Sequence, residues 1–163
     1  KSDKPVLDWH CDTAYSGSKD IKKYLKEDNF SIKFFFYLSD VFADNGCLSY
    51  LPGSHKITNI LKKGIYNNSI MYTPYWNVIQ YKNTILKKNN YKYILKNVEK
   101  SFFDKILNEI DLIIDNNNHN NIFDFPIQKG GAIIFNETGI HRGSKLLYSN
   151  RMALRFFYKK IKY

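Results

Sequence analysis

Cysteine and long apolar runs are both scarce in this chain. Only two cysteines, Cys11 and Cys47, occur among the 163 residues. Two are too few for the disulfide framework of a small secreted protein, so a reducing compartment is the simpler expectation. The sequence also has no apolar run long enough to span a membrane and no signal-peptide pattern. We therefore expect a cytoplasmic protein without a membrane partner, in which both cysteines are buried as small hydrophobic residues.

Acidic residues are in the minority as well. The chain has 15 aspartates and glutamates against 25 lysines and arginines, which gives a formal net charge of +10. Such a surface attracts anions in general. The lysines are nevertheless scattered rather than gathered into a stripe, and the usual nucleic-acid-binding motifs are missing. The charge therefore predicts solvated surface lysines and no nucleic-acid partner.

Apolar and aromatic side chains, by contrast, are plentiful. Hydrophobic residues make up 44% of the sequence and aromatic residues 17%, which suits a single domain with a real core over residues 1–163. Runs typical of β-strands dominate both ends of the chain. They are PVLDWHCDTAY, SIKFFFYLSDV and GCLSYLPGSHK in the first third, and IFDFPI, GGAIIFN and RMALRFFYKK near the C-terminus. This pattern predicts an all-β core.

The middle of the chain differs from its ends. From about residue 91 to residue 115, apolar residues recur at helical spacing. The polar tract NNNHNN then ends the pattern. We therefore expect a partly helical insertion over about residues 56–121. Its aromatic-rich stretch IMYTPYWNVIQY fits either a lid over a binding site or a packed hydrophobic flap.

A histidine and an aspartate stand two residues apart in the first β-like run. Because side chains alternate across a strand, His10 and Asp12 share one face, while Trp9 and Cys11 point the other way into packing. An imidazole nitrogen and a carboxylate oxygen can then meet the same metal ion. Such a pair needs a third ligand from another part of the chain.

Three further histidines are candidates for this third ligand. His119 lies in the asparagine tract and His55 in a turn after LPGS, so both are poor choices. His141 follows the apolar strand pattern GGAIIFN after a short connection and is the best one. Two imidazoles and one carboxylate leave three positions of the ion open. This arrangement suits the non-haem Fe(II) of oxygenases, where a cosubstrate and O2 take the open positions.

Two arginines follow His141 in the last β-like run. A dicarboxylate cosubstrate that chelates iron at one end needs a fork-shaped cation for its far carboxylate. Arginine meets this need with two parallel hydrogen bonds, whereas lysine offers a point charge. We expect Arg151 to fill this role. Arg155, on the same strand face, is the alternative, and is otherwise a candidate for holding an anionic substrate.

Four stretches carry a resemblance to a known family: WHCDT, FFFYLSDVFADNGCLSYLPGSHK, KGGAIIFNETGIHRGSK and NRMALRFFY. The chain resembles the phytanoyl-CoA dioxygenase-like branch of the Fe(II)/2-oxoglutarate-dependent oxygenases, and the second stretch is the most specific match. The resemblance implies a double-stranded β-helix, the jelly-roll or cupin-like barrel. The site residues that it implies are, for Fe(II), His10, Asp12 and His141, and, for 2-oxoglutarate, Arg151, Ser144 and Phe35.

The reaction implied by the resemblance is the hydroxylation of a small-molecule or carrier-bound substrate by O2, with 2-oxoglutarate converted to succinate and CO2. Related halogenases replace the carboxylate ligand with a small residue, so the presence of Asp12 predicts hydroxylation or a related oxidation. Only nine residues precede His10, whereas the family has further barrel elements there. The alternative is therefore a catalytically silent jelly-roll that acts in binding or as a scaffold. Gly131 replaces a common aspartate, which we expect to affect the turn more than the chemistry.

Overall fold

The computed structural model describes residues 7–12, 31–43, 45–71, 73, 75, 77–115, 121–148 and 150–159. Strands lie at both ends of this part of the chain and helices in its middle. In chain order the elements are β1 (Ser31–Tyr37), β2 (Leu48–Tyr50), α1 (Ser54–Tyr66), α2 (Val78–Ile85), α3 (Lys88–Leu95), α4 (Lys100–Asp115), β3 (Asp124–Phe125), β4 (Ala132–Asn136), β5 (His141–Gly143) and β6 (Ala153–Lys159). A 3₁₀-helix at Asn121–Phe123 leads into β3.

The strands form two antiparallel sheets of three strands each. In sheet A, β1 lies between β4 and β6, and in sheet B, β2 lies between β3 and β5. In sheet A, Phe35 pairs with Ile133 on one side and with Arg155 on the other. Because the side-chain period of a strand is two, Lys33, Phe35 and Tyr37 share one face of β1. The β-rich ends that the sequence predicted thus form antiparallel sheets.

The first predicted strand is reduced to a single bridge within the part of the chain that is described. The N–H of His10 donates to the carbonyl of His141 at 3.0 Å, and the N–H of His141 donates back at 2.9 Å. The side chains of Trp9 and Cys11 are buried in the hydrophobic core, as the alternation predicted. This bridge and the burial of the two side chains therefore help to orient the segment.

The helical part of the fold is larger than the sequence predicted. The four helices, with Trp9 and Ile140, enclose the largest hydrophobic core in the described part of the chain. The expectation of an all-β core therefore holds for the two sheets and not for the main core. The single helical pattern over residues 91–115 is also wrong in one respect, because α3 ends at Leu95. There the Asn97 side chain donates to the Tyr93 carbonyl at 2.8 Å and competes with the main-chain ladder.

None of the helices in the described ranges is long and apolar enough to cross a membrane. The asparagine tract with His119 lies outside those ranges.

The start of α1 fastens the helices to the sheets beside His141. The Ser54 hydroxyl donates to the Leu51 carbonyl at 2.7 Å and accepts the N–H of Ile140 at 2.8 Å. The N–H of Leu51 donates to the Ile140 carbonyl at 2.9 Å. These bonds satisfy buried backbone groups and fix the residue directly before His141.

Packing around the preceding turn explains why Gly131, which lies directly before β4, is a glycine. A Cβ at this position would lie 2.5 Å from the Ile127 side chain and 3.0 Å from the Gln128 carbonyl oxygen. An aspartate does not fit here without a shift of the turn. The departure from the family pattern is therefore accommodated by packing around the turn.

Candidate metal centre

The three side chains predicted as metal ligands converge in the structure. His10 Nε2 lies 3.1 Å from Asp12 Oδ1, and His141 Nε2 lies 3.5 Å from Asp12 Oδ2. One ligand atom from each residue lies within 4.8 Å of the other two. Both histidines are buried and Asp12 is partly buried. The group is therefore close enough to surround one metal ion.

Backbone bonds bring these residues together from opposite ends of the chain. The bridge between His10 and His141 places the two imidazole ring centroids 4.5 Å apart. The N–H of Asp12 donates to the Glu137 carbonyl at 3.2 Å, which ties the third ligand to the loop before β5. The positions of all three ligands thus depend on main-chain hydrogen bonds rather than on side-chain packing alone.

Hydrogen bonds to carbonyl groups fix which nitrogen of each imidazole carries the proton. His10 Nδ1 lies 2.6 Å from the Asp8 carbonyl oxygen, and His141 Nδ1 lies 2.8 Å from the Gly139 carbonyl oxygen. A carbonyl can only accept, so Nδ1 is the donor and Nε2 of the neutral ring keeps its lone pair. Both lone pairs then face Asp12. Metal-binding histidines are commonly oriented by such a second hydrogen bond.

Burial keeps both imidazoles neutral at neutral pH. Burial lowers the pKa of His141 to about 3, and the bond to the Gly139 carbonyl opposes this shift without cancelling it. Burial also lowers the pKa of His10. Metal ligands must be deprotonated to bind. Two neutral rings with their lone pairs directed at a carboxylate form a donor set that could hold a metal ion.

The comparison with known proteins points the same way. A family model described as phytanoyl-CoA dioxygenase (PhyH) matches residues 1–146. The chain belongs to the phytanoyl-CoA dioxygenase family. Members of this family are typically dioxygenases that use Fe(II) and 2-oxoglutarate. Searches of curated proteins and of solved structures found no significant match to the chain.

Aromatic rings hold His141 within this phytanoyl-CoA dioxygenase-family site. The Phe135 ring meets the imidazole edge-on at a centroid distance of 5.2 Å, and the Tyr50 ring stacks on it at 6.5 Å. Tyr50 Oη donates to the Asn136 carbonyl and lies 3.3 Å from Nδ1 of His55. His55 is therefore a neighbour of the Tyr50 ring that supports His141.

Arg151 is close enough to Tyr37 to affect its pKa, and ring contacts connect Tyr37 with the metal site. Arg151 Nη1 donates to the Gly46 carbonyl at 3.1 Å. Burial raises the pKa of Tyr37 to about 12, and the positive charge of Arg151 partly opposes this rise. Ring contacts lead from Tyr37 to Phe35 and from Phe35 to Phe135, which touches His141. The Tyr37 hydroxyl is buried, and its surroundings include the backbone of Leu48 as well as Arg151.

The remaining predicted residues are less directly placed. Ser144 is buried and accepts a hydrogen bond from the Cys47 thiol, with 3.5 Å between the sulfur and oxygen atoms. Arg155 pairs with Phe35 in sheet A, but its side chain is exposed rather than enclosed. Arg151 precedes β6, so the two arginines are not on one strand as predicted.

Two charged residues at the centre were missed in the sequence. The Lys33 ammonium group contacts Asp12 Oδ2 and lies 3.4 Å from Glu137 Oε2. Lys33 stands two residues before Phe35, so strand alternation could have assigned both to one face. Glu137 directly follows β4 and shows no comparable pattern in the sequence. Both belong to the electrostatics of the centre.

Proposed function

We propose that the protein is an Fe(II)/2-oxoglutarate-dependent dioxygenase that hydroxylates a small-molecule or carrier-bound substrate in the cytoplasm. The observation that carries this proposal is the donor set itself. Two neutral imidazoles present their Nε2 lone pairs to one carboxylate, and their Nδ1–H groups are bound to carbonyl oxygens. Two histidines and one carboxylate are the ligand set of non-haem Fe(II) oxygenases.

In this proposal His10, Asp12 and His141 would hold the iron. Bound Fe(II) would supply activation of O2, coupled to conversion of 2-oxoglutarate to succinate and CO2. The residues of the chain orient the reactants and exclude water. Phe135 and Tyr50 keep the His141 ring in place, since both rings contact it. Asp12 occupies the ligand position that halogenases leave free, which favours hydroxylation.

The far carboxylate of 2-oxoglutarate is assigned to Arg151. The Arg151 charge acts on the buried Tyr37 hydroxyl, so both groups could serve one anion. A carboxylate bound between the two would accept hydrogen bonds from both. Phe35, which contacts Tyr37 and Phe135, would then form the aromatic wall of the cosubstrate site, with Ser144 near it.

The proposal includes closure of the two sheets into a jelly-roll. The chain passes from sheet A at β1 to sheet B at β2 and β3, and then crosses to A, B and A again at β4, β5 and β6. Such alternation of strands between two facing sheets supports a double-stranded β-helix. The helices between β2 and β3 then correspond to the insertion predicted over about residues 56–121.

The direct test is succinate release from 2-oxoglutarate with Fe(II) under air. His10→Ala, Asp12→Ala and His141→Ala should each abolish it, whereas His55→Ala should retain most of it, because His55 contacts the site only through Tyr50. Equal succinate release from the wild type and all three ligand variants would refute the proposal. A screen of small-molecule and carrier-bound compounds for stimulated succinate release would then identify the substrate class.

A catalytically silent jelly-roll is the second candidate, and one observation favours it. The Lys33 ammonium group already neutralises Asp12, so the acid group has a partner without a metal. In this alternative the intact protein takes up no divalent metal and releases no succinate. Metal uptake by the wild type therefore separates the two functions.

A further inference from the structure

A lysine stands at the centre of the candidate metal site. The Nζ atom of Lys33 contacts Asp12 Oδ2, and the same atom lies 3.4 Å from Glu137 Oε2. The Lys33 side chain is only 14% exposed and that of Glu137 only 6%. The ammonium group is also 5.5 Å from the centroid of the Phe157 ring. Lys33 is therefore held between two carboxylates and an aromatic face, rather than solvated at the surface.

A divalent ion and an ammonium group cannot occupy the same carboxylate oxygens at low cost. Lys33 contacts Oδ2 of Asp12, which is also the oxygen nearest to His141 Nε2, at 3.5 Å. A metal held by the two histidines and Asp12 would face this positive charge at close range, and like charges in a partly buried site repel strongly. The structure offers the displaced ammonium a second acceptor, because Glu137 already lies within reach.

We propose that Lys33 is an internal competitor of the metal ion for Asp12, and that metal binding transfers the Lys33 ammonium group from Asp12 to Glu137. This inference rests on the metal site of the proposed function and concerns what sets its affinity and selectivity. Lys33 lowers the affinity for every divalent ion. Ions that gain little from two imidazoles, such as Mg²⁺, are excluded, whereas ions that bind imidazole well displace the lysine.

The test is the dissociation constant of Co²⁺, an imidazole-binding probe, measured by calorimetry on the full chain at pH 7. Lys33→Met should bind Co²⁺ at least about tenfold more tightly than the wild type, which corresponds to about 1.4 kcal/mol. Glu137→Gln should bind it more weakly, because the displaced ammonium then lacks its second partner. The double variant should bind like Lys33→Met, since Glu137 acts through Lys33.

Two control variants test whether the effect on Co²⁺ affinity comes from the charge of Lys33 and is specific to this site. Lys33→Arg keeps the charge and should stay close to the wild type. Lys82→Met removes the lysine of a more exposed ion pair with Asp111 and should leave the Co²⁺ affinity unchanged. Should Lys33→Met fail to fold, Lys33→Gln gives the same comparison with a polar side chain of similar length, and the same tightening is expected.

The outcomes also separate this inference from the proposed function. If the wild type binds Co²⁺ as tightly as Lys33→Met and Lys33→Gln, Lys33 does not compete with the metal. The proposed metal site is unaffected by that result. Absence of Co²⁺ binding in the wild type and in every Lys33 variant overturns both. Binding that appears only when Lys33 is neutralised would overturn the transfer of Lys33 to Glu137 on metal binding, and with it metal binding by the wild type.

Discussion

Gly139 sits under the Tyr50 ring, and substitution there should disturb the metal centre without touching a ligand. A Cβ built at Gly139 would lie 2.2 Å from Tyr50 Oη, 2.5 Å from Cζ and 2.8 Å from Cε2. Ordinary van der Waals contact begins at about 3.4 Å, so Gly139→Ala requires the ring or the loop to move by more than 1 Å. The same ring stacks on His141, and the Gly139 carbonyl orients the imidazole.

The size of the effect follows from these contacts. Overpacking of a well-filled site costs about 1–3 kcal/mol, and the bond from Tyr50 to the Asn136 carbonyl contributes about another 1 kcal/mol where it is lost. Disturbing the groups that orient a metal-binding histidine typically costs about 10–100-fold in metal affinity or activity. We therefore expect Gly139→Ala to lose about 2–4 kcal/mol of unfolding free energy and at least about tenfold in metal affinity.

Urea unfolding and a Co²⁺ titration measure the two effects on the same sample. Gly130→Ala is the matched control, since nothing lies within 4 Å of its added Cβ. Its φ of +86° still penalises an L-residue, so it should lose about 1 kcal/mol and keep the full metal affinity. Loss of metal affinity in the control as well would show that the effect is not specific to the site.

A second background tests the cause directly. In Tyr50→Leu the atoms that meet the new Cβ are absent, so adding Gly139→Ala should cost much less than in the wild type. An equal cost in both backgrounds would refute the steric argument. It would also remove Tyr50 from the account of how His141 is held.

Three further predictions concern stability and reactivity. Because burial lowers the pKa of His141 to about 3, the unfolded chain takes up this proton near pH 6.5 and the folded protein does not. Stability should therefore fall by up to about 1.4 kcal/mol per unit as pH drops from 6.5 towards 3, and a flat profile in urea unfolding would contradict this. On α4, Ile106→Ala should cost about 2–5 kcal/mol, since Ile106 is fully buried, whereas Leu112→Ala, 43% exposed, should cost under about 1 kcal/mol; similar midpoints would argue against the helical core. Burial raises the pKa of both Cys11 and Cys47 to about 12, so a thiol reagent should label them only after unfolding, and rapid labelling of the native protein would count against their burial.

The ligand set could be predicted because its signals are local. The two-residue spacing of His10 and Asp12 assigns a shared face from strand geometry alone. His141 could be singled out because the chain has only four histidines. What the sequence could not supply is the long-range bridge that joins His10 to His141, since pairing partners in a sheet depend on tertiary packing.

The position of Lys33 at the metal centre could not be predicted from the sequence. It is one of 25 basic residues, and most lysines are solvated. Its alternation with Phe35 indicates a face, but not that Asp12 and Glu137 lie across from it. Helix α1 could not be predicted from the sequence either. Ile57 and Leu61 have helical spacing, but they follow a turn that is typical of the end of a pair of strands. The helical core formed there because these side chains pack on Trp9 and the later helices.

The central claim is that His10, Asp12 and His141 together hold one ferrous ion. Anaerobic titration of the full chain with Fe(II), read by calorimetry, tests it most directly. The account predicts one Fe(II) per wild-type or His55→Ala chain and none in the three single alanine variants of the ligands. Fe(II) binding of unchanged stoichiometry and affinity in those three variants would contradict it.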